Sequence, residues 1–315
     1  MNKTLLLPLI FLIFLTNCGE KEEAAPPGID KSKTLPAAAV AGFSGQKAYD
    51  HIVKLTAFGP RPPQSEGYQK SLAHLEKELG VLGWKTKRST FELPTPRGRV
   101  SFTNLLARFA PDSAPDWTAS PPYLISGHLD TKLLPGKNFL GVNDSGSSTG
   151  VLLELARVLG QHPAFAPKIE LVFFDGEEAF GDNIIENRDG LYGSSHFAKS
   201  LLKRKNRPVL GIVLDLVGDP NVPLLVSGHS HRWLVGETGK AIKALGLGND
   251  VQYTRNQIID DHVPLMPYLP VLHLIGDFQN MPYWHTPEDT LDKITPAALE
   301  KAGKLTLQVL HQLTR

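Results

Sequence analysis

Reactive side chains in this sequence recur where apolar runs end. PPYLISG leads into His128-Leu129-Asp130, IELVFF into Asp175-Gly176-Glu177-Glu178, and VLGIVL into Asp215. VLHLIGDF is followed after a short loop by Trp284-His285-Thr286, and Asp144 sits in GVNDSG just ahead of an apolar helical run. Each has an ordinary explanation when taken alone: a hydrogen-bonded strand-end histidine, a helix cap, a solvated acidic turn. Taken jointly, they point to a metal site. Adjacent Glu177 and Glu178 can face different ways, so one can bind an ion while the other stays free as a proton acceptor, tuned by the apolar neighbours Phe173, Phe174 and Phe180. Asp144, Glu178 and His285 would make a set of oxygen and nitrogen ligands with an open position, which suits catalytic Zn²⁺ acting as a Lewis acid on a carbonyl.

The elements that must position these groups alternate between two periods. Leu72, Leu75, Leu79 and Leu82 recur at helical spacing, so residues 65–82 read as an amphipathic helix closed by Gly83. Strands are expected at 84–93, 100–109, 122–127, 169–174, 209–216 and 271–275, and helices at 148–159, 194–204, 233–245 and 296–313. The pattern implies a three-layer α/β/α sandwich around a mixed, mainly parallel sheet, in which ligands gather beyond the carboxyl ends of the strands.

Composition narrows the chemistry further. The chain of 315 residues has 33 Lys plus Arg against 32 Asp plus Glu, a formal charge of +1, too balanced for a nucleic-acid binder. Its one cysteine permits neither an internal disulfide nor a thiolate zinc site. That cysteine is Cys18, placed after Lys3 and the apolar run 5–15, which is too short to span a bilayer. The segment 1–17 resembles a bacterial lipoprotein signal, with Cys18 as the lipid-bearing first residue of an exported, envelope-anchored protein. Residues 18–45, rich in Ala, Pro, Lys and Glu, read as a flexible spacer, leaving 46–315 as a single domain.

The strings HLD, VNDSG, FFDGEEAF with GLYGS behind it, VLDLVGDPN, IIDDHVPLM and PYWHTPEDT, in that order, resemble the zinc-dependent glutaminyl-peptide cyclotransferases of animal type and their bacterial relatives, which share a fold with the zinc aminopeptidases. The resemblance runs from about His51 to the C-terminus. It implies one zinc on Asp144, Glu178 and His285, Glu177 as acid/base, Asp215 and Asp260 in a carboxyl hydrogen-bond network, and Trp284 against the substrate. The implied reaction closes an N-terminal glutamine of a peptide or protein into pyroglutamate with loss of ammonia. Two features depart from the animal pattern. No tryptophan follows the paired glutamates in Ala179-Phe180-Gly181-Asp182-Asn183, and the disulfide is missing. A rim loop is expected over 181–191. The rival reading is a two-zinc aminopeptidase in which His128, Asp144 and Asp215 help hold a second ion. A third is a surface lipoprotein that binds without turnover. His262 is expected to orient rather than ligate. His229 and His231 are set apart from the site, and His51, His74, His162, His196 and His311 are expected on the surface or in packing.

Overall fold

The computed structural model describes residue 29 and residues 33–315; the segment 1–17 and Cys18 lie outside them. A hairpin of β1 (Trp84–Thr95) and β2 (Gly98–Phe109) is followed by β3 (Tyr123–His128), β4 (Ile169–Phe174), β5 (Leu210–Asp215), β6 (Leu224–Val226), β7 (Val251–Tyr253) and β8 (Val271–Gly276). They form one sheet in the order β1-β2-β4-β3-β5-β8-β6-β7. The centre, β4-β3-β5-β8, is parallel, while β2 and β6 join it antiparallel. Each central strand is six residues long and buried throughout, the signature of parallel strands covered on both faces. The three-residue strands β6 and β7 are too short to leave a periodic signal and were not expected from the sequence.

Alternation along the strands sorts the core into two layers. Leu105, Ala107, Leu171, Phe173, Ile212 and Leu214 face one side, under α1 (Ala37–Ala41), α2 (Gly45–Thr56), α3 (Glu66–Val81), α4 (Gly146–Gly160), α6 (Arg232–Leu245) and α7 (Pro296–Thr314). Leu106, Val172, Phe174 and Val213 face the other, against α5 (Tyr192–Ser200) and the segment around Leu265 and Leu269. The sandwich is therefore lopsided.

The expected spacer over 18–45 is corrected at its end. Leu35, Ala39, Val40 and Phe43 are core residues, the middle two on α1 and the outer two flanking it. Thr34 Oγ1 donates to Thr314 O (2.8 Å), Leu35 N donates to Thr314 Oγ1 (3.1 Å), and His311 Nδ1 lies 2.6 Å from Leu35 O. The Phe43 ring lies over Gly303, where any Cβ would meet it at 2.1 Å. An alanine-rich stretch of five helical residues between Pro36 and Gly42 is too short to show periodicity, yet it seals the α7 face. Helix α2 follows directly, burying Ala48, Ile52 and Leu55, with the Ser44 side chain capping it by accepting from Lys47 N.

Candidate active site

The rim at the carboxyl ends of β3, β4, β5 and β8 gathers the predicted residues. β4 ends in Asp175-Gly176, where Gly176 takes φ +70° and a Cβ would lie 2.5 Å from the Phe102 ring, so only glycine allows the chain to turn into Glu177-Glu178. Asp130, fully buried after β3, accepts from Glu177 N (3.2 Å) and Glu178 N (3.3 Å) and fixes the backbone of the pair. Asp144 precedes α4. Its oxygens lie 3.3 Å from His128 Nε2 and 3.3 Å from His285 Nε2, and His285 Nε2 lies 3.2 Å from Glu178 Oε1. Asp215, at the end of β5, is 3.1 Å from His128 Nε2.

These contacts make two convergent triads that share Asp144: Asp144, Glu178 and His285, and His128, Asp144 and Asp215. In each, one ligand atom per residue lies within 4.8 Å of the others. Glu178 Oε1 is buried, and its one polar neighbour, His285 Nε2 at 3.2 Å, does not meet it in hydrogen-bond geometry, the condition expected of an oxygen and a nitrogen that converge on a shared cation. The nitrogen-and-carboxylate set fits zinc. Lys132, buried, donates to Ala179 O (3.0 Å) and stands 3.6 Å from Glu178 Oε2, leaving Oε1 toward the triad. His285 and Leu216 hold φ of 55° and 52°, a left-handed backbone that non-glycine residues adopt at a cost of order 1–3 kcal/mol and that clusters at functional sites.

The electrostatics separate the carboxyl groups. Burial pushes Glu177 well above the usual carboxylate range; His128 opposes it, and Asp260 and Glu178 add to it. Burial also raises Asp215 to about 7 against its hydrogen bond to His128. Asp144 is held low because contacts with His128 and His285 overcome its burial. Asp260 is likewise buried, but the neighbouring His273 draws it down to about 2. Carboxyls pushed apart in this way provide proton-holding and anionic groups side by side.

Asp260 Oδ2 lies 2.6 Å from His273 Nε2, and the His262 ring stacks on His273 at 3.9 Å. Asp260, His262 and His273 thus form a third buried group whose ligand atoms lie within 4.8 Å of one another. His229, expected to stand apart, instead reaches this cluster: its Nδ1 lies 3.3 Å from His262 Nε2 and 3.0 Å from Ile258 O, because the loop after β7 folds back over the rim. His231 precedes α6 and takes no part in the cluster. The sequence reading gave Asp130 no role, though it named it in His128-Leu129-Asp130, and missed Lys132 and His273. Lys132 lies two residues beyond that motif. His273 is a lone histidine inside an apolar strand, a signal on its own.

A cavity of about 310 Å³ opens over Glu177, Glu178, Asp215 and Asp260. Trp284 stacks on the His285 ring at 3.9 Å and is backed by Phe278 at 4.8 Å. Where a second tryptophan was absent from the sequence, Ile184, Ile258 and Ile259 line the cavity. The loop bearing Ile184 is pinned by Asp189, whose carboxylate accepts from Phe180 N (2.9 Å) and Gly181 N (2.8 Å).

Comparison with known proteins agrees with this geometry. Residues 104–310 match peptidase family M28. A glutaminyl-peptide cyclotransferase of Dictyostelium discoideum is 28% identical over 96% of this chain and 97% of its own length. That of Bothrops jararaca is 31% identical over 79% of this chain and 76% of its own. Among solved structures, an Acidobacteriales bacterium glutaminyl cyclase superposes with a TM-score of 0.74 at 29% identity, covering 86% of this chain and 95% of that one. A Zn-dependent exopeptidase from Parabacteroides distasonis reaches 0.73 at 25% identity, covering 86% and 99%. The chain belongs to peptidase family M28 and, within it, to the glutaminyl-peptide cyclotransferases.

Proposed function

We propose that the domain is a glutaminyl-peptide cyclotransferase, which closes the N-terminal glutamine of peptides into pyroglutamate. The observation that carries this reading is the buried carboxyl of Glu177, held with a raised proton affinity in the cavity that also contains the Asp144, Glu178 and His285 triad. In the reaction the α-amine nitrogen bonds to the side-chain amide carbon, the bond from that carbon to its own nitrogen breaks, and ammonia leaves. One zinc held by Asp144, Glu178 and His285 would supply Lewis-acid polarisation of the amide carbonyl. Glu177 takes the proton from the attacking amine and delivers it to the departing nitrogen. Asp215, with its high proton affinity, is the carboxyl placed to donate a hydrogen bond, while anionic Asp260 is anchored by His273. Trp284 and Phe278 hold the folded-back glutamine and exclude water, so the gain comes from near-attack geometry.

The test is product analysis on Gln-initiated peptides: ammonia and a pyroglutamyl product support the reading, and free amino acids overturn it. The second triad favours a second reading, a two-metal aminopeptidase. Metal analysis separates the two, since one zinc per chain belongs to the cyclase and two to the peptidase. Neither turnover nor bound metal would leave a binding lipoprotein. The segment 1–17 with Cys18 supports export and lipid anchoring at the bacterial envelope. Palmitate labelling that survives Cys18→Ser would refute the anchor.

A further inference from the structure

We propose that Arg61 and Asp289 are positioning residues that clamp, from two sides, the loop presenting Asp144, and that this clamp sets the affinity of the site for its metal. The inference rests on the reading of Asp144 as a ligand. The loop 140–145 has no regular structure and leads into α4, so its shape must be imposed from outside. Asp289, fully buried, spends both carboxylate oxygens on it: Oδ1 accepts from Asn143 N (2.8 Å) and Oδ2 from Asp144 N (3.0 Å). From the other side Arg61, also fully buried, donates through Nη1 to Leu140 O (2.7 Å) and through Nη2 to Gly141 O (2.9 Å). Its Nε donates to Leu129 O (3.0 Å), tying the loop to the segment that follows His128.

This is an unusual use of a buried cation. The acceptors of Arg61 are main-chain carbonyls and the Ser145 hydroxyl, so the charge is not neutralised by a carboxylate in contact. A buried ion costs several kcal/mol unless well solvated by dipoles. Here the planar fork reads carbonyls of two separate segments at once, which lysine cannot do. The N–H groups of the loop go to an anion and its C=O groups to a cation, so the backbone dipoles are oriented before any metal arrives. A ligand held in place beforehand loses less conformational freedom on binding.

The test measures zinc affinity by competition with a chelator, with the melting temperature of the metal-free protein recorded alongside. Asp289→Asn offers one acceptor where two N–H groups need one, and its amide NH₂ opposes the other. The expected result is a zinc dissociation constant raised about tenfold or more, with Asp289→Glu recovering part of it. A lowered melting temperature with unchanged zinc affinity would mean a merely structural role and overturn the proposal. Arg61→Lys, which keeps the charge and loses the fork, is expected to weaken zinc in the same way. Should the variants not fold, the metal-free wild-type protein carries the test through hydrogen exchange. The amides of Asn143 and Asp144 are expected to be protected like sheet amides, and loop-rate exchange overturns the clamp. Absence of zinc binding by the wild type would instead refute the ligand reading itself.

Discussion

Replacing Glu177 by Gln removes a proton carrier while leaving its surroundings in place. The backbone of the pair is held by the Asp130 carboxylate through Glu177 N and Glu178 N, and neither bond involves the Glu177 side chain. Gln has the same shape, and the ligand triad keeps all three members. The loss is therefore the general acid/base contribution, about 10²- to 10⁴-fold in kcat, equivalent to ~2.7–5.5 kcal/mol of barrier. Stability should move the other way. A carboxyl whose folded pKa is raised from 4.5 binds its proton more tightly folded than unfolded. Its stabilising contribution is complete below the unfolded value and is lost as pH rises through the folded one. The metal-free variant should thus gain stability relative to metal-free wild type as pH rises above the unfolded value of 4.5 toward the raised folded one. The assay is steady-state ammonia release at saturating Gln-peptide, with zinc content measured on the same sample and thermal melts of the metal-free proteins across pH. A loss in kcat below tenfold with zinc intact would refute the acid/base role, and parallel stability profiles would refute the electrostatic argument.

Three further outcomes are expected. His285→Ala should lose the metal, read as zinc content after gel filtration, because two carboxylates alone leave the triad without its nitrogen donor. Zinc uptake near neutral pH should release protons, since Glu178 and Asp144, against the effect of burial, raise His285 to about 10 and a ligating imidazole must be neutral; a calorimetric binding enthalpy that is the same in buffers of different ionisation enthalpy would contradict this. Phe43→Ala should destabilise the domain by about 3–5 kcal/mol without changing kcat in the folded protein, and a truncated protein beginning at residue 46 should melt well below one beginning at residue 33. Equal melting temperatures would show that the N-terminal segment is dispensable.

How much of this was legible in the sequence depended on the length of the signal. The central strands and the helices over 65–82, 148–159 and 296–313 carry several turns or full apolar runs, and they stand where the pattern put them. The ligand triad was legible because strand ends place reactive residues on one rim. The segment 34–43 was not, because its contacts lie some 280 residues away in α7 and alanine gives little pattern. His229 was misjudged for a related reason: the loop that brings it to His262 is irregular, and spacing along the chain says nothing of such a fold-back. Arg61 and Asp289 act on main-chain atoms, which no side-chain motif reveals.

The docking of the N-terminal segment on α7 also places the start of the described chain relative to the cavity. Helix α7 starts beside the rim, where Thr295 N donates to Gly218 O (3.0 Å), and its 19 residues run ~28 Å to Thr314, which binds Thr34 and Leu35. Lys33 O accepts from Lys168 Nζ (3.2 Å), just ahead of the first residue of β4. The chain thus enters the domain at the amino ends of the strands and presents its cavity at the carboxyl ends. The described N-terminal segment and the mouth of the cavity therefore lie at opposite ends of the central strands, separated by the length of six residues, ~20 Å.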